Sequence, residues 1–249
     1  MQHEMPLVSV VIPTIPSRKT YLERAIKSVG SQTYKNIELI VVDEGKPANI
    51  QRNIGIDRAH GDFIAFLDDD DEWMDDKIEK QITHFAQHPS AVICICYSDD
   101  RRVGNGRISK PPPIVHHKEL VKGFNLSSTS SYLVRTYALK LLKQKDGECF
   151  DTMLPSGHEY DIALRLTYGH YIICYPKILM IQHKSKSQIS FNWNKKVKGQ
   201  FAFIKKWGHE YNIIDYIKRV GLIGLFWLGN IFGDRIMIPI NFMKEVKRT

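Results

Sequence analysis

Apolar residues along the chain fall into short runs that alternate with stretches of helical period. Leu7 to Ile12 is a β-rich run closed by Pro13, and from Tyr21 to Gln32 apolar side chains recur at Leu22, Ala25, Ile26 and Val29, the spacing of one helix face. Ile37 to Val42 predicts a second strand ending at Asp43-Glu44-Gly45, and Pro47 to His60 a second helix with Ile50, Ile54 and Ala59 available for packing. Asp62 to Leu67 predicts a third strand, Trp73 to about His88 a third helix and Ala91 to Tyr97 a fourth strand. Strands that alternate with helices imply right-handed crossovers and a mostly parallel sheet covered on both faces. Such sheets bind ligands beyond the carboxyl ends of their strands. Pro13, Asp43 and Asp68 stand at such ends, so three separate segments are expected to converge on one crevice.

Beyond the fourth strand the pattern loosens. Asp99 to Pro113 is polar and Pro-rich and reads as a long surface loop. Ser128 to Val134 predicts a strand, Thr136 to Lys143 a short helix and His158 to Tyr168 a helix with Ile162, Ala163, Leu164 and Leu166 mostly buried. Ile172 to Tyr175 and Ile178 to Gln182 are two further strands, and no internal repeat is present.

The third strand discharges into four carboxylates, Asp68 to Asp71. Hard oxygen ligands at the mouth of a sheet suit a divalent metal and a polyphosphate. The same residues equally suit a solvated turn that caps the next helix, since Asp favours helix N-caps. Composition bounds the choice of partner: with 249 residues, 43% hydrophobic, the chain can bury a full core, and a net charge of +8 suits an anionic partner. Cys94, Cys96, Cys149 and Cys174 form no Cys-x-x-Cys pair and read as reduced, buried thiols of a cytosolic protein. The first six residues show no basic leader followed by an apolar run, so no signal peptide is expected, and Asn125-Leu126-Ser127 carries no weight as a sequon.

Taken in order, these motifs resemble the family 2 glycosyltransferases of the GT-A fold, over about Leu7 to Ser190. The resemblance rests on Val8-Ser9-Val10-Val11-Ile12-Pro13-Thr14, on Leu39-Ile40-Val41-Val42-Asp43-Glu44-Gly45, on Arg52-Asn53-Ile54-Gly55 and on Ala59 through Asp71. It implies an α/β, Rossmann-like, mostly parallel sheet flanked by helices, and a UDP- or GDP-sugar donor cradled by Pro13, Thr14 and Asp69. It further implies Asp43 and Arg52 near the base, Asp68 near the ribose, and Asp70 holding Mn²⁺ or Mg²⁺ on the pyrophosphate. A metal clamp with nearby cations offsets the charge that develops on a departing nucleoside diphosphate.

The family's acidic pair, which opens a helix continuing Asp-Leu-x-Leu-Arg-Leu, corresponds here to His158-Glu159 followed by Tyr160-Asp161-Ile162-Ala163-Leu164-Arg165-Leu166. An inverting transfer needs a carboxylate opposite the leaving group, to take the acceptor's proton. Glu159 falls where the family places that base. Asp161 is the second candidate, though two residues along a helix it points to a different side. His183 resembles a family histidine that completes the metal shell or contacts phosphate, and Lys184 and Lys186 suit a pyrophosphate clamp.

Val220 to Phe242 is apolar and aromatic but broken by Asn230, Asp234, Arg235 and Pro239. A spanning helix needs about 20 largely uninterrupted apolar residues, so an amphipathic, interfacial helical tail is expected over 206–249, after a catalytic domain over 1–205. Lys205, Lys206, Lys218 and Arg219 before it and Lys244, Lys247 and Arg248 after it suit an anionic cytoplasmic leaflet. Packing on the catalytic domain, or in a homodimer, is the alternative. The resulting expectation is a hexosyl- or N-acetylhexosaminyltransferase, peripheral on the cytoplasmic face of a membrane. Its acceptor would be a glycan or a polyprenyl-phosphate-type lipid. A non-catalytic sugar-nucleotide-binding protein is the alternative, and a nucleotidyltransferase fits less well because Pro13 to Arg18 is not Gly-rich. Nucleic acid is not expected, because aromatic residues do not alternate with the cations. A dinucleotide-dependent oxidoreductase lacks its Gly-x-Gly-x-x-Gly turn.

Overall fold

The structure is a computed structural model that describes residues 5–102, 106–123, 126–183 and 193–232. The chain divides into two compact units, one of Met1–Thr152 with Glu159–Lys186, the other of Met153–His158 with Ser187–Thr249.

The first unit is built on a nine-stranded sheet. β1 (Val8–Pro13), β2 (Ile37–Val42) and β3 (Phe63–Phe66) form a parallel trio with β1 in the middle. Every residue of β1 and β3 is buried, which is why both read as unbroken apolar runs. β4 (Asp71–Trp73) follows at once, and β5 (Ala91–Asp100), β6 (Arg107–Ser109), β7 (Ile114–His116), β8 (Leu133–Arg135) and β9 (Tyr171–Gln182) complete the set. The main order is β2-β1-β3-β8-β5-β9-β4, with β6 paired to β5 and β7 to β9. β8 lies antiparallel between β3 and β5, and β5 pairs in parallel with β9. The five longest strands, β1, β2, β3, β5 and β9, therefore run the same way, as a mostly parallel sheet requires.

Helices α1 (Lys19–Gly30), α2 (Ala48–Arg58) and α3 (Lys77–Ala86) follow β1, β2 and β4. α4 (His117–Val121), α5 (Thr136–Asp146) and α6 (His158–Leu166) come later. α2 reaches β1 because Gly55 has no side chain: a Cβ there would lie 2.2 Å from Val11 Cγ1. Beneath β5, Lys77 is fully buried, its Nζ donating to Gln81 Oε1 at 2.7 Å and lying 4.1 Å from the Trp73 ring centre. All four cysteines are buried and free.

Four expectations need correction. Trp73 ends a short strand, held by pairing with Met180 across β9, and the helix begins only at Lys77. The expected loop from Asp99 carries the end of β5 and the hairpin strand β6. Ser128 to Val134 splits into a 3₁₀ turn at Thr129–Ser131 and the shorter β8. The two strands expected between Ile172 and Gln182 are one, whose Pro176 is accommodated by register shifts against β5 at Cys96 to Ser98.

In the second unit, α7 (Trp193–Trp207) packs on α8 (Ile213–Phe232). Both helices fall in the Ser187–Thr249 part of this unit. Ile213, Ile217, Val220 and Trp227 are exposed on α8, whereas Asp215 is buried. No described helix is long and apolar enough to cross a membrane. The expected segment from Val220 to Phe242 is described only as far as Phe232.

Candidate active site

The carboxyl ends of β1, β2 and β3 converge, as their burial pattern requires. Leu67 N donates to Val11 O at 3.0 Å and Thr14 N to Val42 O at 2.9 Å, so the residues leaving β3 and β1 start side by side. Pro13 is buried at this end, and Gln51 Nε2 fixes the turn by donating to Thr14 O at 2.9 Å. Asp43 projects from the end of β2 as an exposed residue.

The four acids then separate by environment. Asp69, 5% exposed, accepts from Thr14 Oγ1 at 2.8 Å and from Arg18 Nε at 2.9 Å through both oxygens. Burial pushes its carboxyl up despite these donors. Asp70 meets Arg18 at 2.8 Å through Oδ2, and its carbonyl accepts from Arg24 at 2.6 Å. Asp68 pairs with Arg52, whose guanidinium lies 5.5 Å from the Phe150 ring centre. Asp71 turns inward as the first residue of β4. Burial, then the charges of Asp68 and Asp70, push its carboxyl well up, and Ser130 Oγ donates to it at 2.6 Å. The same Ser130 hydroxyl accepts from Asp68 N at 3.0 Å. Nε of both Arg24 and Arg52 is buried with no hydrogen-bond partner among the described residues. A site rich in guanidinium donors, two with an unused N–H, is suited to a phosphate-bearing ligand.

Further arginine enters from β5. Arg102 grips Asp100 through two bonds of 2.8 Å, and donates to Gln182 Oε1 at 3.2 Å beside the end of β9. His183, next along, meets Glu72 Oε2 at 2.7 Å. Lys186 lies outside the described residues, as does Lys184.

The expected metal ligands, Asp70 and His183, engage Arg18 and Glu72, and no group of three His, Cys, Asp or Glu side chains is arranged to hold a metal among the described residues. The donor set nevertheless fits one kind of cation. Mg²⁺-like ions are held by one or two carboxylates plus substrate phosphates, and Asp70 already holds a positive group, the Arg18 guanidinium, in that place.

The two candidate bases part company. Glu159 is half-buried in the first turn of α6, and its carbonyl accepts from the hydroxyl of buried Tyr132 at 3.2 Å. Ser130 and Tyr132 thus link the acidic turn to the start of α6. Asp161 has 0% exposure and binds Arg165 Nε at 2.9 Å. Arg165 also donates to the carbonyls of Glu148 and Cys149 and meets Asp146. This knot holds the loop leading to Phe150, which Asn53 clamps through two bonds of 2.8 Å beneath Arg52. Asp161 therefore braces this loop from within, buried away from solvent. Sequence reasoning missed Arg18, Arg24, Arg102, Ser130 and Tyr132. Only Arg18, a cation in the turn after the first strand, carried a local signal.

A doubly covered, mostly parallel sheet with an acidic turn and arginines at its carboxyl edge is the GT-A arrangement of nucleotide-sugar glycosyltransferases. The profile of glycosyl transferase family 2 matches residues 9–51 and 48–149, more than half of the chain, and the protein belongs to that family. It is 28% identical over 263 residues to the E. coli K12 protein named "Putative colanic acid biosynthesis glycosyl transferase WcaA", covering 90% of this chain and 89% of that one. It is 31% identical over 159 residues to E. coli WfaP, a UDP-Glc:alpha-D-GlcNAc-diphosphoundecaprenol beta-1,3-glucosyltransferase, covering 53% and 62%. Against an uncharacterized glycosyltransferase of Haemophilus influenzae the identity is 35% over 111 residues, 34% of this chain and 44% of that one. With the Bacillus subtilis relative at 49%, the chain spans about half the length of these two curated relatives. In fold it resembles S. aureus TarS in complex with UDP-GlcNAc, with a TM-score of 0.57, 16% identity and coverage of 80% and 66%. It also resembles the mannosyltransferase PcManGT of Pyrobaculum calidifontis in complex with GDP-Man and Mn²⁺, with a TM-score of 0.56, 16% identity and coverage of 81% and 65%.

Proposed function

We propose that the protein is an inverting glycosyltransferase that moves a hexosyl or N-acetylhexosaminyl group from UDP or GDP to a hydroxyl or phosphate of a lipid-linked acceptor. The observation that carries this reading is the gathering of Asp68, Asp69 and Asp70 with Arg18, Arg24 and Arg52 at the carboxyl ends of β1 and β3. Asp43 and Arg52 hold the base, Asp68 the ribose, and Thr14 with Asp69 shapes the turn on which the pyrophosphate rests. Asp70 and His183 face the diphosphate, and a divalent cation held there would neutralise charge on the leaving nucleoside diphosphate. Glu159 takes the acceptor's proton as its oxygen attacks the anomeric carbon, and Tyr132 positions the turn that carries it.

Relatives such as WfaP act on diphosphoundecaprenol-linked sugars, which supports a polyprenyl-type lipid acceptor. The exposed Ile213, Ile217, Val220 and Trp227 of α8, with Lys205, Lys206 and Lys218 nearby in sequence, support peripheral contact with an anionic membrane on its cytoplasmic face. The test is nucleoside-diphosphate release from UDP- and GDP-sugars, with Mn²⁺ or EDTA and with or without membrane lipid, beside Glu159→Gln and Asp70→Asn. Metal-dependent release from one donor, lost in both variants, is the expected result. Nucleotide binding without release from any donor would favour a non-catalytic binding protein of the same fold.

A further inference from the structure

We propose that Arg18 is a latch on the donor site: its guanidinium holds Asp69 and Asp70 until a nucleoside diphosphate draws it to phosphate, which opens Asp70 to a divalent cation. The proposal rests on the donor-site reading above and adds an order of events to it.

A single side chain engages both acids. Arg18 Nε lies 2.9 Å from each oxygen of Asp69, and its terminal nitrogen lies 2.7 Å from Asp69 Oδ1 and 2.8 Å from Asp70 Oδ2. A cation approaching Asp70 meets a positive group already on that carboxylate, and two like charges on one oxygen repel. Metal alone therefore binds against Arg18.

The latch can move without unpacking the core, and the diphosphate must offset the contact that Asp69 gives up. Arg18 ends a three-residue 3₁₀ turn, Pro16–Arg18, in which no residue is buried, so its displacement disturbs no core packing. Asp69 keeps the Thr14 hydroxyl when Arg18 leaves. The Tyr21 ring, 5.1 Å from the guanidinium, stays beside it as a flanking surface. A diphosphate carries more negative charge than either carboxylate and offers the bidentate oxygen pair that a guanidinium matches. Nucleotide and metal then help each other to bind, and linkage makes the help reciprocal.

The experiment uses the full chain. Mn²⁺ binding is followed by electron paramagnetic resonance of the free ion, without nucleotide and with UDP or GDP, for wild type, Arg18→Ala and Arg18→Lys. Nucleotide binding in EDTA is measured by calorimetry, and circular dichroism checks folding. In wild type, nucleotide tightens Mn²⁺ by roughly 5- to 100-fold, the usual span of coupled sites. In Arg18→Ala, Mn²⁺ alone binds about fivefold or more tighter than it does to wild type alone, the coupling shrinks to the part that phosphate ligation of the ion supplies, and nucleotide binding in EDTA weakens. Arg18→Lys, which keeps the charge without the fork, falls between. If Arg18→Ala and Arg18→Lys bind Mn²⁺ alone no better than wild type does, while wild type still binds nucleotide, the latch alone is overturned. If wild type binds neither UDP nor GDP, the latch and the donor-site reading fall together.

Discussion

Replacing each carboxylate at the start of α6 in turn separates catalysis from architecture. Asp161 is 0% exposed and its partner Arg165 8%. Removing one member of a buried pair costs about 3–5 kcal/mol, because the other charge stays buried. In Asp161→Asn the guanidinium keeps Asp146 and the carbonyls of Glu148 and Cys149, so the lower end, about 3 kcal/mol, applies. At about 2–4 °C of Tm per kcal/mol for a domain of this size, Asp161→Asn should melt roughly 6–12 °C below wild type. Glu159→Gln breaks no ion pair that the structure records, and should stay within about 0.5 kcal/mol of wild type. The order reverses for turnover. Losing a general base lowers kcat by about 10²- to 10⁴-fold, whereas Asp161→Asn, assayed well below its Tm, should remain within roughly tenfold of wild type. Differential scanning fluorimetry and nucleoside-diphosphate release on the same preparations read both quantities. An Asp161→Asn protein that melts like wild type and releases nothing, beside an active Glu159→Gln, would refute the reasoning.

Lys77 supplies a pH test. Burial lowers its ammonium pKa from 10.5 to about 8, with the neighbouring Cys96 and Cys94 acting in the opposite sense. The folded state therefore binds fewer protons than the unfolded chain between those values. A penalty of about 3 kcal/mol is fully present below pH 8 and disappears as pH rises to 10.5. Lys77→Met, which leaves Gln81 Oε1 without this donor at a cost of about 1 kcal/mol, should be roughly 2 kcal/mol more stable at pH 7. Urea melts should show that advantage vanishing by pH 10.5, and a difference that is flat with pH would contradict the assignment. Gly55→Ala forces a methyl to 2.2 Å from Val11 Cγ1, so overpacking of about 1–3 kcal/mol should appear in the same melts. Ser130→Ala strands Asp71 Oδ2 and Asp68 N, and should cost about 1–3 kcal/mol while weakening UDP or GDP binding by calorimetry. Unchanged affinity would detach Ser130 from the donor site.

The sequence disclosed most clearly those parts whose packing is local or two-sided. β1, β2 and β3 and the helices after β1 and β2 announced themselves through apolar runs and helical period, and Thr14, Arg52 and the Asp68 to Asp71 run through a known order of motifs. What stayed hidden depends on distant strands. Asp71-Glu72-Trp73 has no strand signal, and only the ladder to Met180, Ile181 and Gln182 makes it β4. Pro176 looked like a break because a register shift in the partner strand is invisible from Pro176 itself. Ser130 and Tyr132 reach the site because β8 enters the sheet backwards, a topological fact that no local spacing encodes. Asp161 read as a second candidate base because nothing in its own segment shows that its partner Arg165 is tied to Asp146 and to the carbonyls of Glu148 and Cys149.

The backward insertion of β8 also sets when this fold can close during synthesis. β3 and β5 are joined in the sheet through β8, whose Leu133 and Val134 pair with Ala65 and Ile64 on one side and with Cys94 and Ile93 on the other. Until residue 135 has been synthesised, no strand can fill the slot between the facing edges of β3 and β5. Edges of that kind recruit foreign strands. The seam is thus a late, non-local closure on which the two halves of the sheet wait.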